Sequence, residues 1–330
     1  YQISPNVTLD MALNPDFAEV EADAPVVRAN QRFPIFFPEK RPFFLEGIDI
    51  FKSRLQIVNT RNIADPDAAV KLTGKIGRNT FGILGAIDNF PESDDFPDGQ
   101  KAYVGVLRLR RDIGDNSNIG LFATHYHRGA QRHNSLAGFD AKYQINDRTV
   151  FDAMVVGTHS RREYYDPDID DSVYRTGNGF AYRMEYDYTG RNRGWSFEVS
   201  GRSRDYRADV GFTRRTNTHG AQYRFRIGTE PKPENNLIGI VSRGSTGFNV
   251  DESGRLQNAR GNMFVRFTFQ NQFEFDFRGG VSREHIYEDE FGARRNMNQE
   301  GAFFGEPDRS ATQIFGEVGV EKTFSKRFSI

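Results

Sequence analysis

Three groups of side chains in this 330-residue chain have the types and spacing that chemistry needs. The first is a set of carboxylates. Asp166, Asp168 and Asp170 alternate in the stretch Asp166-Pro-Asp-Ile-Asp-Asp171, and Asp16, Glu19, Glu21 and Asp23 form an acidic run. Hard cations such as Ca²⁺ prefer several carboxylate oxygens, so both runs are candidate cation loops. The first departs from a calcium-loop pattern, because Asp171 stands where glycine is needed and Gly177 where a glutamate is needed. A solvated or arginine-paired acidic surface is the other reading of either run. The second group is His125, His127 and His133, with His127 and His125 flanking Tyr126 at a strand end and His133 expected in the following loop. Three imidazoles can bind Zn²⁺, and interfacial or solvated histidines are the other reading. The third is His159-Ser160 beside the acidic loop, where neighbours on a strand point to opposite faces. Phosphate loops, dinucleotide fingerprints and nucleophile elbows do not occur in the sequence. A hydrolytic site assembled across strands at a rim, using His125 and His159, is the one catalytic reading left open; otherwise no enzyme activity, catalytic residue or tightly bound cofactor is expected.

The elements that would position these groups are strands. The period-two pattern begins near residue 68. In residues 179–190, Phe180, Tyr182, Met184, Tyr186 and Tyr188 alternate with Ala181, Arg183, Glu185, Asp187 and Thr189. Residues 195–202, 222–227, 262–270 and 272–278 repeat it, and further strands are expected at 70–76, 80–87, 103–111, 119–127, 136–145, 150–159, 210–215, 237–250 and 314–324. Residues 7–13 add an N-terminal strand candidate. Strand spacing puts the aromatics on one face and the charges on the other. About fourteen or more such strands, each near the ~9–11 residues that cross a tilted bilayer span, predict an all-β, antiparallel transmembrane β-barrel. Tight turns at 77–79, 146–147, 190–194 and 271–272 contrast with long polar connections at 89–100, 160–177, 229–236, 251–260 and 285–310. Alternation of short and long connections is the membrane-barrel pattern; counted this way, its parity fails after residue 204.

Composition agrees. The chain carries 30 Phe, 13 Tyr and 32 Gly, no cysteine, and a net charge of −1 from 44 basic and 45 acidic residues. That balance gives no electrostatic case for nucleic acid, and no disulfide or cysteine-based metal site exists. Mean hydropathy is −0.66, and no run approaches the ~20 apolar residues of a spanning helix. The chain opens on Tyr1 without a leader-like segment and ends in text resembling a hairpin interior, so part of the protein is expected to lie outside it.

Residues 1–67 differ from 68–330. After the strand at 7–13 come Pro15, Pro25, Pro34, Pro38 and Pro42. Proline removes ladder donors, and irregular backbone cannot face lipid. This segment is therefore expected as a plug or clamp in the lumen, at its mouth or against a partner. Glu39, Lys40, Arg41 and Glu46 are its charges. Their expected partners are on the inward face: Arg108, Arg110, Arg183, Arg224, Arg226, Arg266 and Arg278, set against Asp152, Glu185, Asp187, Glu198, Glu274 and Asp276. A face with both signs argues against strong ion selectivity.

The most specific text is Leu13-Asn-Pro-Asp-Phe-Ala-Glu-Val-Glu-Ala-Asp23, followed by Phe36-Phe-Pro-Glu-Lys-Arg-Pro-Phe-Phe-Leu-Glu-Gly47, and later Val210-Gly-Phe-Thr-Arg-Arg215. These blocks resemble a bacterial outer-membrane barrel family of unknown function, often fused to an N-terminal module similar to family 9 carbohydrate-binding domains. The resemblance implies a barrel in the outer membrane, in contact with its lipid, and supplies no reaction. The functions it leaves open are a porin-like channel, the membrane anchor or docking component of a surface or secretion assembly involving other envelope proteins, and a structural barrel displaying a module for surface glycans.

Overall fold

The computed structural model describes residues 2–15, 33–90, 100–129, 131–166, 171–287, 309–325 and 328–329. The fold is all-β. Among the described residues the strands are β1 (Gln2–Ser4), β2 (Val7–Leu13), β3 (Pro66–Ile76), β4 (Asn79–Phe90), β5 (Gln100–Ile113), β6 (Ser117–Arg128), β7 (Arg132–Asn146) and β8 (Thr149–Asp166). They continue as β9 (Asp171–Thr189), β10 (Arg193–Arg202), β11 (Thr218–Gly228), β12 (Leu237–Val250), β13 (Leu256–Phe269), β14 (Phe273–Ile286), β15 (Arg309–Ser325) and β16 (Phe328–Ser329). Each strand neighbours the next in sequence, in the order β1 to β16. Regular antiparallel registers run from Val7↔Gly74 through Asn118↔Lys142 and from His219↔Val250 through Ile286↔Arg309. One helical turn, α1 (Pro42–Leu45), starts on a proline, where the missing N–H costs nothing. No helix among the described residues is long and apolar enough to cross a membrane.

Two sequence expectations change. Residues 210–215 are not a strand, and the chain makes an irregular excursion over 203–217 between β10 and β11. Removing that strand restores the parity after residue 204 only in part, since 229–236 after β11 is longer than 251–255 after β12. Connections following odd-numbered strands are 77–78, 114–116, 147–148, 190–192, 229–236 and 270–272, whereas those following even-numbered strands include 14–65, 91–99, 203–217 and 287–308. Only 229–236 stands out as long among the former. The expected loop at 160–177 is mostly strand, since β8 runs to Asp166 and β9 starts at Asp171.

The chain forms two compact units: residues 1–143, 152–183 and 201–217, and residues 144–151, 184–200 and 218–330. In the first, one face of β3–β9 is covered by chain. Phe44, Phe51 and Ile63 pack on Ala69, Leu84, Ala86, Val104, Val106 and Tyr126. Leu55, Ile57, Tyr206 and Ala208 pack on Phe122, Leu136, Met154, Val156 and Ala181. The opposite face is apolar and bare: Val156 is 1% exposed and its neighbour Val155 47%. With both faces apolar here, the expectation of a uniformly charged inward face fails for these strands. In the second unit it stands: Phe197 is 45% exposed, while Ser196 beside it is 5% exposed and faces the charged side.

Candidate functional site

The covered face is built around residues 39–65. Arg41 is the organising side chain. Its Nε and Nη2 donate to the Glu39 carboxylate at 2.9 and 2.8 Å, its Nη1 donates to the Ile63 carbonyl at 2.6 Å, and Nη2 also reaches the Thr60 carbonyl at 2.7 Å. The Thr60 hydroxyl donates to Glu39 at 2.6 Å. The guanidinium also lies 4.3 Å above the Phe44 ring. Burial alone would raise the Glu39 carboxyl, but hydrogen bonds from Arg41 and Thr60 outweigh it and hold the group below its ordinary value. Glu39 and Arg41 thus tie residues 39–41 to 60–63 within the segment itself. Lys40 bonds through its backbone N–H to Glu39, and Glu46 contributes its carbonyl.

That carbonyl is claimed by Lys71, which points from β3 into the covered face and is 1% exposed. Its Nζ donates to the Phe43 and Glu46 carbonyls at 2.5 and 2.6 Å, lies 3.2 Å from Asp10 on β2, and sits 4.9 Å from the centre of the Phe43 ring. Lys71 and Asp10 were not singled out in the sequence. The signal was present: Lys71 shares strand parity with Ala69 and Thr73, a lone cation among small residues. Gly82 shows how closely the segment seats, since a Cβ there would meet Ile50 and Phe51 at 2.8 Å.

The excursion 203–217 completes the cover. Asn59 donates to the Val210 carbonyl and Phe212 to the Gln56 carbonyl, both at 2.8 Å. Asn62 Nδ2 reaches the Asp209 and Gly211 carbonyls at 2.9 and 2.7 Å. Phe36 packs edge-on against Phe212 at 5.3 Å. Gly179 is a glycine of necessity, because its missing Cβ would lie 2.3 Å from the Tyr206 backbone. Tyr206 itself is fully buried, which pushes its hydroxyl up to about 12. Two of the sequence blocks noted above therefore meet in space: 36–47 belongs to the segment that 210–215 holds down.

Beside the segment lies a cavity of about 410 Å³. Lys52 and Arg54 line it from the segment, and Arg108, Arg110 and Lys142 from the strands, against the carboxylates of Asp140 and Asp152. Arg108 is paired with Asp140, at 2.5 and 2.8 Å, and stacks 3.7 Å over Phe122. Asp140 was missed in the sequence because its partner sits 32 residues away, two strands across. Arg183 lies 3.8 Å from Asp152, and Arg110 3.9 Å from Asp112.

In the second unit the charges form ladders across one face. Arg224 donates to Glu185 at 2.6 Å, Glu198 at 3.2 Å and the Ser196 hydroxyl at 3.1 Å. Arg266 pairs with Glu274 at 2.8 Å and Asp276 at 3.4 Å. Arg278 bridges Asp276 and Glu317 at 3.8 and 3.9 Å. Arg226 serves the turn instead, donating to the Gly190 carbonyl at 2.9 Å, and Asp187 accepts from Thr189 at 3.0 Å.

The histidines lie elsewhere, on the bare face of the first unit. His133 is in β7 rather than a loop, directly opposite His127, and its ring stacks 5.5 Å from His159. His125 meets the Ser135 hydroxyl at 2.9 Å and His159 meets Asn178 at 2.7 Å. Ser160 is 3% exposed on the covered face, opposite His159. Among the described residues no group of three His, Asp or Glu is arranged to hold a metal ion. The acidic run 16–23 and Asp168 and Asp170 lie outside the described residues; Asp166 ends β8.

Residues 1–71 match the family model of a domain of unknown function, DUF5916. No curated protein matches. Among solved structures, OccAB2 of Acinetobacter baumannii is 12% identical, with 80% of each chain covered and a TM-score of 0.29. OccAB3 of the same organism is 11% identical, with 82% of each covered and a TM-score of 0.30. OccK5 (OpdH) of Pseudomonas aeruginosa is 10% identical, covering 77% of this chain and 91% of that one, with a TM-score of 0.25.

Proposed function

We propose that this chain is an outer-membrane β-barrel protein of the porin type, whose charged strand face lines a hydrated passage and whose residues 34–65 act as a seated plug. The observation that carries the reading is the inverted burial pattern. Along single strands the large apolar residues are bare, as with Phe139 at 69%, Phe180 at 49% and Phe197 at 45%, while Lys71, Asn134 and Ser196 are 5% exposed or less. Water would oppose such a face, and a hydrocarbon belt requires it. Irregular backbone is confined to the covered side, as spanning structures demand. The salt-bridged ladders of the second unit are polar enough to stay wetted, with Arg224 43% exposed at its side chain.

The cationic excess beside Lys52 and Arg54 favours anionic solutes at that cavity, whereas the mixed ladders have no dominant sign. The test is planar-bilayer conductance of the full chain against G82L, whose side chain would displace Ile50 and Phe51. Small or gated steps in the wild type and larger steps in G82L are expected. Silence from both proteins, once inserted, overturns the channel and leaves an anchoring barrel.

A further inference from the structure

The bare face of the first unit changes character along the strands. Near the 77–78, 114–116 and 147–148 turns it is apolar. Leu109, Ile119, Leu121, Phe139 and Val155 wall a groove of about 500 Å³ floored by small residues such as Ala141 and Ala153. Four residues on, about 14 Å at strand rise, the same face turns polar, with imidazoles and a guanidinium. His125 follows Leu121 along β6, and His159 follows Val155 along β8. Tyr103, His127 and His133 stand directly opposite one another across three strands, and His159 stacks on His133 from the fourth. Arg161, two residues beyond His159, donates to Gln131 at 3.2 Å and lies 5.7 Å from the centre of the Tyr174 ring. Between groove and imidazoles, Gly105 and Gly157 leave open space on either side, with nothing within 4 Å of where a Cβ would stand.

Apolar side chains on this face need no polar partner if they meet lipid tails. Four imidazoles and a guanidinium gathered on the same face do need an explanation. We infer that this surface binds one molecule of a phosphorylated glycolipid, with its phosphate among His127, His133, His159 and Arg161 and an acyl chain in the groove. The donors select the head, since imidazole N–H groups and the Arg161 guanidinium donate to phosphate oxygens. The spacing fits the tail, because about 14 Å is the reach of an extended chain of roughly a dozen carbons. The connections at this end include the 52 residues of 14–65, and long connections mark the outward end of a membrane barrel. The groups facing the row are His125 and His127 on β6, His133 on β7, and His159, Arg161 and Glu163 on β8, with the Tyr103 hydroxyl on β5.

The inference rests on the outer-membrane reading, and the experiment separates the two. The full chain is folded into detergent micelles, and folding is checked by heat-modifiable electrophoretic mobility and insertion into vesicles. Binding is then measured for diphosphorylated lipid A, its dephosphorylated form and inorganic phosphate. The diphosphorylated lipid should bind about tenfold or more tightly than the dephosphorylated one. H127Q/H133Q/H159Q should abolish the preference yet keep the weaker binding, while V155W, which narrows the groove, should weaken both lipids. A chain that inserts but treats the two lipids alike overturns the inference alone. Inorganic phosphate competing at equal affinity overturns the lipid as ligand. A chain that never inserts overturns the membrane reading itself.

Discussion

Lys71→Met probes how firmly residues 34–65 are seated. Methionine keeps the length and apolar stem but removes the ammonium. Two short hydrogen bonds disappear, to the Phe43 and Glu46 carbonyls, and a hydrogen bond from a charged group contributes about 1.5–3 kcal/mol. Asp10 loses its cation 3.2 Å away. Breaking a fully buried pair costs about 3–5 kcal/mol, but the Asp10 side chain retains 16% exposure, so water recovers much of that. These terms overlap, and a net loss of about 4 kcal/mol in seating is expected, close to a thousandfold in the ratio of seated to open segment. Trypsin reads this directly, since Lys40, Lys52, Arg54 and Arg61 all lie in the segment, and cleavage tracks the open population when closing is fast. The folded variant should be cut within residues 40–61 far faster than the wild type, while the strands resist. In D10L/K71M the orphaned carboxylate is gone but the two carbonyls still lack a donor, so protection should recover by only about 1–2 kcal/mol. Equal protection of K71M and the wild type, or full recovery in the double variant, would refute the assignment of Lys71 as the seat.

Further outcomes follow from the same geometry. The Glu39 carboxyl is held below its ordinary value of 4.5, so its contribution is intact above that pH and is lost as pH falls through the lowered folded value; release of the segment, read with an acid-active protease such as pepsin, should rise steeply only below about pH 4.5, and E39Q should flatten the profile. Arg at Phe267, on the aromatic face, should impair membrane assembly by about 2–4 kcal/mol if that site lies at mid-depth, whereas Arg at Thr268, beside Glu274 at 3.3 Å, should assemble, as judged by heat-modifiable mobility. Ser196→Arg is not a comparable control, because Ser196 already accepts from Arg224 and a second guanidinium would be repelled. Asp140→Asn removes the negative charge paired to Arg108, and should shift the reversal potential of the open passage toward anions in a salt gradient.

Strand periodicity was legible where the two faces differ in polarity. In β9, β11, β13 and β14 aromatic residues alternate with charged or polar ones, and sidedness could be read one residue at a time. In β4 and β5 that contrast vanishes: Ile83 and Leu84, or Leu107 and Val106, are alike in polarity, because one faces the bare side and the other the covering segment. The cover itself was legible as prolines that no central strand tolerates. Its pairing was not. Arg41 turned to Glu39 and to carbonyls at 60 and 63, and backbone acceptors carry no signature in a sequence. The block at 210–215 read as a strand because Val210 and Phe212 alternate; what fixes it instead is hydrogen bonding to residues 56–62, contacts that cross about 150 positions.

Those contacts bear on the order of assembly. Asn62 is joined to Asp209 and Gly211 across 147 and 149 residues, and eight strands, β3 to β10, lie wholly between the two excursions that meet there. Distant closures of this kind form late, because the loop entropy must be overcome before the contact is made. The segment precedes its latch at 209–212 by eight strands, β3 to β10. Sealing is thus a terminal event in the biogenesis of this unit, and a chain stalled before residue 209 would hold its strands with the segment unlatched.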